Sequence, residues 1–386
     1  MKRVSNTLKK FSPSFLVLTV CLGFFSQALG ILGHDIDIAN AANKENIVPI
    51  LIIGSGPAGL CAAIYGVRGN IKVLVVHGPL PGGLLTQTTE VENWPGSSSI
   101  LGQDIIQNLQ DQAGQLADKY LKRSAKDDVS KIEYLQDTIA KIDASAWPFK
   151  VYTDDGIVLH ALSIIIATGA SPKKLYVPGE HLAGVTSCAR CDAPFYEGKD
   201  VVVVGGGDTA VEEAMQLAHY AKSIKVLVRK DEMRASAIMK SRLAEYPSVS
   251  IEYNVEVKEI LGDQESGVVA VKLTHTKNNT RSISIMPVQG VFLAVGHTAN
   301  SDLVKDIVDI DEQGVIQLQG RSQATSMPGI FAAGDVADKL YRQAGTAGGY
   351  GIGAGIDAIN FLTHIGYTPS MAVQLEQNMF RGMKAE

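Results

Sequence analysis

The stretch Val48-Pro49-Ile50-Leu51-Ile52-Ile53-Gly54-Ser55-Gly56-Pro57-Ala58-Gly59 decides the fold. A short apolar run that passes at once into a G-x-G-x-x-G turn reads as a buried parallel strand entering a helix. The first glycine makes the tight turn, the second lets backbone approach a pyrophosphate, and the third lets the helix pack closely on the strand. The helix from Ala58 to Arg68 then aims its N-terminal N–H groups at phosphate, and a second strand at Lys72 to Val76 completes a βαβ unit. Gly54, Ser55, Gly56, Pro57, Ala58 and Gly59 are therefore candidate dinucleotide contacts. His77 ends the second strand, where an acid usually meets the adenosine ribose, so ribose recognition here uses something else.

The same pattern recurs at Val201 to Val204 with Gly205-Gly206-Gly207-Asp208-Thr209-Ala210, where Ala takes the third glycine position. A helix from Thr209 to Tyr220 follows, on which Glu212 and Glu213 read as a solvated face favoured by the helix dipole. Its partner strand, Ile224 to Val228, ends in Arg229-Lys230 with Arg234 close behind. Cations there suit a 2′-phosphate and so favour NADP over NAD; the plainer reading is an exposed basic turn. Two dinucleotide loops call for two dinucleotides, and the natural pair is FAD and NADPH. Gly205, Gly207, Asp208, Thr209, Arg229, Lys230 and Arg234 are the NADPH candidates.

Further segments fit a flavin half-site. Pro81-Gly82-Gly83-Leu84-Leu85 and Thr89 to Gly96, with Asn93, form a loop too long for a simple connection. Ser163 to Ala167 reads as a strand ending in Thr168-Gly169, and Gly329 to Asp335 as another whose Gly334 and Asp335 would meet a ribitol or ribose hydroxyl. Arg342, Gln343 and Ala344 lead into a helix of small residues suited to packing on a flavin. Ile105, Ile106, Leu109, Ala113, Leu116, Ala117 and Tyr120 recur at helical spacing and are core. From Ile132 to His160, short apolar runs and turns predict a small antiparallel meander laid over the first sheet. The expected fold class is α/β: two Rossmann-like dinucleotide-binding domains, the NADPH domain (171–286) inserted into a split FAD domain (47–170 and 287–386).

Between the two fingerprints stands Cys188-Ala189-Arg190-Cys191-Asp192. Two cysteines separated by two residues can close a readily reduced disulfide, and Arg190 would favour a thiolate; a structural disulfide or a metal pair has the same spacing. Zinc would also need the distant Cys21 and Cys61. With only 4 cysteines in 386 residues, a disulfide-built secreted scaffold is excluded. The charged fraction of 19% and net charge of -5 provide no basic field, which argues against nucleic acid as a partner.

Lys2, Arg3, Lys9 and Lys10 precede an uncharged run from Phe15 to Gly33, the pattern of a signal peptide or signal anchor. Residues 1–46 are therefore set apart from the fold. NADPH use points to the cytoplasm, while this segment points to a membrane, export or an organelle; a misplaced start codon is a further reading.

From about Val48 to Leu362 the motifs resemble the low-molecular-weight thioredoxin reductases of the bacterial type: the Gly54 and Gly205 turns, Thr89 through Gly96, Ala167 through Ala170, Cys188 through Asp192, Gly296-His297 and Gly334 through Val336. The resemblance implies a homodimer, FAD on the split domain, NADPH on the inserted one, and rotation between the two. It further implies that Cys191 is the flavin-side thiol, that Cys188 attacks thioredoxin, and that Asp192 is the acid-base group. Three positions depart from the pattern. Leu84 stands where a Gln usually follows the glycines, and Val228 and Lys230 replace the His and second Arg of a His-Arg-Arg-x-x-x-Arg clamp, so a point charge stands in for a fork. A dithiol oxidase should lack the second nucleotide loop, a non-catalytic FAD sensor would not need both cysteines and the clamp, and a reductase of another dithiol carrier shares every motif.

Overall fold

The computed structural model describes residues 44–87, 90–121, 132–277 and 280–368, with Ala372 and Leu375. The signal-like run and Thr89 lie outside the described residues. The chain divides into two compact units, one of Met1–Glu90, Ile100–Gly169 and Ala299–Glu386, the other of Val91–Ser99 and Ala170–Thr298.

The first unit begins with β1 (Ile47–Ile53), buried at every position. Burial on both faces is what a continuous apolar run in a parallel sheet needs, and each fully buried Ile or Leu contributes about 1.5–3 kcal/mol. Helix α1 (Pro57–Arg68) opens with Pro57, whose fixed φ suits a first turn, and returns the chain to β2 (Val73–His77). Helix α2 (Gly102–Leu121) buries Ile105, Ile106, Leu109, Ala113 and Ala117, the face expected from their spacing. Strands β3 (Ile132–Gln136), β4 (Ile139–Asp143), β5 (Phe149–Thr153) and β6 (Val158–Ile166) follow.

The meander is not laid over the sheet. β3 pairs with β2 in parallel, and β4, β5 and β6 continue the same sheet as antiparallel neighbours, giving the order β3-β2-β1-β6-β5-β4. Nine-residue β6 makes this arrangement: it is long enough to pair with β1 along one edge and with β5 along part of the other.

In the second unit, β7 (Val185–Thr186), the short helix α3 (Ala189–Asp192), β8 (Asp200–Val204), α4 (Asp208–Leu217), β9 (Ser223–Val228), α5 (Ala237–Leu243) and β10 (Val249–Tyr253) are followed by the antiparallel β11 (Val255–Asp263), β12 (Gly267–Lys277) and β13 (Thr280–Pro287), then β14 (Gly290–Leu293). The parallel sheet runs β7-β14-β8-β9-β10. Alternation along β8 divides its core: Val201 and Val203 face the cluster with Ala210, Ala214 and Leu217 of α4, while Val202 packs with residues of β11 and β12. Because β14 pairs with β8, this unit extends past the anticipated limit at 286 to Thr298.

The chain then returns to the first unit, where β15 (Ile330–Ala332) pairs with the second half of β6 and α6 (Ala344–His364) packs on α1. The small residues of α6 serve that helix contact. A Cβ on Gly351 would stand 2.0 Å from the Ala58 carbonyl oxygen, and one on Gly355 would stand 2.9 Å from that of Ala62. Gly349, on the same helix, would meet nothing within 4 Å. Gly351→Ala should therefore destabilise the protein by about 2 kcal/mol or more, whereas Gly349→Ala should be neutral or stabilising by up to about 1 kcal/mol, as read by thermal unfolding.

Candidate active site

Both glycine turns are built by close backbone contact. Gly54 has φ +114°, and a Cβ there would lie 2.2 Å from the Ala167 oxygen, while one on Gly59 would lie 1.9 Å from the Gly54 oxygen. Ser55 ties the turn to the next loop, its Oγ accepting the Gly82 N–H at 2.9 Å. Gly82 and Gly83 have φ +85° and +66°, values only glycine adopts without strain. Thr168 Oγ1 donates to the Asn300 carbonyl at 2.6 Å, and Asn300 Nδ2 returns a bond to the Thr168 carbonyl at 2.9 Å, fixing the end of β6 at Gly169. The Ala333 N–H donates to the Ile166 carbonyl at 2.9 Å, and a Cβ on Gly334 would stand 2.9 Å from Ala58, so Gly334-Asp335 sits over the start of α1.

Burial pushes Asp335 up to about 6, with Asp338 adding to the rise and Arg342 opposing it. Asp338 accepts the N–H groups of Leu340, Tyr341 and Arg342, which sets the turn into Gln343, the N-cap of α6, and Ala344. His77 ends β2 with Nδ1 3.3 Å from the Gly78 carbonyl oxygen, and Leu84 is 42% exposed. The first unit thus gathers Gly54 to Gly59, Gly82, Gly83, Thr168, Gly169, Gly334 and Asp335 around the C-terminal ends of β1 and β6. Asn93 belongs to Val91–Ser99, which groups with the second unit.

In the second unit, a Cβ on Gly205 would meet the Ala294 oxygen at 2.4 Å. The Gly206 carbonyl accepts the N–H groups of Arg234 and Ala235 at 2.7 and 3.1 Å, folding the basic segment onto the glycine turn. Asp208 Oδ1 accepts the Ser236 N–H at 2.7 Å, and Arg229, Lys230 and Arg234 are exposed.

The cysteine pair is a closed disulfide, Cys188–Cys191, with Cα atoms 5.3 Å apart. Cys188 is the N-cap of α3, and its carbonyl accepts the N–H groups of Cys191 and Asp192 at 3.2 and 3.1 Å. Thr186 Oγ1 accepts the Cys188 N–H at 3.2 Å and donates to Asp192 Oδ2. Burial raises the Asp192 carboxyl, and this Thr186 bond pulls it back only in part.

A profile described as pyridine nucleotide-disulphide oxidoreductase matches residues 48–351. The chain belongs to this family. Its relatives include a thioredoxin reductase of Rickettsia felis, 40% identical over 318 residues that cover 81% of this chain and 97% of the relative. Thioredoxin reductase 1 of Saccharomyces cerevisiae is 38% identical over 330 residues, covering 82% and 98%. Among solved structures, the chain is similar to thioredoxin reductase from Giardia duodenalis (36% identity, TM-score 0.73, covering 83% of this chain and 100% of that one) and to that of Streptococcus pyogenes (35%, 0.74, 83% and 100%).

The two family fingerprints fit dinucleotides on a structural ground. Protein packing does not require glycine at the second fingerprint position: a Cβ on Gly207 would meet nothing within 4 Å, and one on Gly56 only the Gly82 oxygen at 3.8 Å. Both α1 and α4 start without a side-chain cap, leaving their first turns to an anion from outside.

The redox turn also holds a residue that the sequence reading assigned to solvent. Glu212 is exposed and pairs with Arg190 at 3.6 Å, but Glu213 is mostly buried and accepts the Ala189 N–H through Oε2. Burial pushes Glu213 up to about 7; Asp192 and Glu212 add to the rise, while the Ala189 N–H and Arg190 oppose it. Helical spacing puts Glu213 one position from an exposed residue, and only the arrival of α3 covers it. Among the remaining cysteines, Cys61 is buried on α1, where burial pushes its thiol up to about 11, leaving it an inert core residue.

Since Glu213 titrates near 7 when folded and near 4.5 when unfolded, the folded state binds the extra proton between those values. Stability should therefore fall as pH rises from about 4.5 to about 7 and level off above. Glu213→Gln should lack this decline and gain on the order of 2 kcal/mol relative to the parent across that window, in chemical denaturation measured from pH 5 to 8.

Proposed function

We propose that the chain is an NADPH-dependent flavoprotein that reduces the disulfide of thioredoxin. The observation that carries this reading is the closed Cys188–Cys191 pair on the same unit as a dinucleotide turn, with the raised carboxyl of Asp192 next in sequence. NADPH, when bound, would supply a hydride, and FAD would hand its electron pair on to the disulfide. Gly54 to Gly59, Gly82, Gly83, Leu84, Thr168, Gly169, Gly334, Asp335, Arg342, Gln343 and Ala344 hold the flavin dinucleotide, with His77 beside the adenosine. Gly205, Gly207, Asp208 and Thr209 hold the pyrophosphate of NADPH, and Arg229, Lys230 and Arg234 its 2′-phosphate.

Two electrons break the Sγ–Sγ bond and leave two sulfurs that need protons. Asp192 gives one, its carboxyl being held above the usual carboxylate range by burial. The Cys188 thiolate attacks the partner disulfide to form a mixed disulfide, and Cys191 then displaces the reduced partner. The likeness to thioredoxin reductases supports thioredoxin as that partner, a homodimer, and the cytoplasm as the place where NADPH is available. No helix among the described residues is long and apolar enough to cross a membrane.

Anaerobic titration with NADPH should bleach the flavin and expose two thiols, and Cys188→Ser should keep flavin reduction while losing thioredoxin turnover. A flavin that stays oxidised under excess NADPH would sink the reading. Arg229→Ala should raise KM for NADPH about 10-fold or more with little change for NADH, because it removes one charge-assisted phosphate contact of about 1.5–3 kcal/mol. Equal effects on both nucleotides in steady-state kinetics would remove Arg229 from the clamp.

A further inference from the structure

Opening a disulfide adds two electrons to a confined site, and the charge must be balanced by protons. The Cys188–Cys191 turn is flanked by two carboxyls on different elements. Asp192, at the end of α3, is held by the Thr186 hydroxyl, and Glu213, on α4, holds the Ala189 N–H of the residue that follows Cys188. The reaction as drawn above uses only Asp192. Glu213 has no cation dedicated to it, since Arg190 stands 3.6 Å from Glu212.

We propose that Glu213 takes up the second proton when the Cys188–Cys191 disulfide is reduced, so that the reduced turn keeps one thiolate without gaining net charge. This deepens the reductase reading and rests on it in taking the pair as redox-active. The balance is as follows. Two electrons break the Sγ–Sγ bond; one proton passes to a cysteine sulfur through Asp192, which regains its own from solvent, the second passes from solvent to the Glu213 carboxylate, and the other sulfur stays a thiolate. Above about pH 7 the oxidised turn carries the Glu213 charge and the reduced turn carries the thiolate charge instead. Two adjacent anions in a partly buried place are avoided, and a nucleophile remains for exchange.

The surroundings favour this exchange of charge. The charged groups that act on Glu213 are Arg190 and Asp192 from α3 and Glu212 from its own helix, and Asp192 also raises Tyr196. Helix α5, also packed on α4, brings Lys240 and Arg242, and neither acts on the carboxyl. Asp200 on β8 pairs with Lys222 and Lys225 on β9 with Glu252, so the sheet beneath sends it no free charge. Glu213 already titrates near 7 beside the closed disulfide, and a new thiolate can only raise it further. Its contact is with the Ala189 backbone, so Glu213 is a positioning residue acting on the pair through charge.

The test equilibrates the holoenzyme with reduced and oxidised dithiothreitol at several pH values between about 7 and 8, traps thiols by alkylation, and counts reduced pairs by mass. Dithiothreitol releases two protons on oxidation over this range. In the parent the pair and Glu213 together take up about one and a half near pH 7 and close to two near pH 8, so the exchange constant should rise only about twofold over this range. In Glu213→Gln, which keeps an acceptor for the Ala189 N–H, the pair takes up one, and the constant should climb about 10-fold per pH unit. Equal pH dependence in the two proteins overturns the proposal. Infrared difference spectra of the parent, read without any variant, should show a protonated carboxyl appearing on reduction that is lost in Glu213→Gln; its absence from the parent overturns the proposal as well. Because the reductant is dithiothreitol, the result is independent of whether NADPH or thioredoxin proves to be the physiological partner.

Discussion

The contact on which the first unit depends is the approach of α1 to its neighbours at distances that leave no room for a side chain. A Cβ on Gly59 would stand 1.9 Å from the Gly54 oxygen, and one on Gly351 2.0 Å from the Ala58 oxygen. Helix α1 is thus seated against the end of β1 on one side and against α6 on the other, by glycines on both partners. Its N-terminus is then fixed at the C-terminal edge of the parallel sheet, where doubly wound folds bind their ligands. Asp335 reaches the same edge because Gly334 lies against Ala58. Three segments far apart in sequence meet there through backbone contact.

The second unit repeats the turn with a different purpose for its surroundings. Gly205 presses on Ala294, and the Gly206 carbonyl draws in Arg234 and Ala235, so the glycine turn also organises the basic segment. On the far side of α4, the same helix sends Glu213 to the backbone of the disulfide turn. One helix therefore carries a dinucleotide turn at its start and a carboxyl for the redox pair one turn later. This placement puts the glycine turn and the contact with the disulfide turn on a single element, and it separates the surroundings of Glu213 from those of Glu212, its neighbour at the exposed ion pair.

Much of this was legible in the amino-acid order. The apolar run into Gly54-Ser55-Gly56-Pro57-Ala58-Gly59, its repeat at Gly205 to Ala210, and the Cys188-Ala189-Arg190-Cys191 spacing announce their local structures because each is enforced within a dozen residues: strand burial by hydrophobic run, turn by glycine, disulfide by short loop. The sequence by itself therefore determined the two βαβ units and the helix of Ile105 to Ala117, and marked the cysteine pair that the structure closes as a disulfide. Tertiary structure decided what depends on partners remote in the chain. It joined β4 and β5 to the main sheet through β6, turned the glycines of α6 toward α1, and brought β14 into the second sheet. It also partly covered Glu213, a charged residue that periodicity alone assigns to water, because whether a helical face meets solvent or another element is settled only when the rest of the chain arrives.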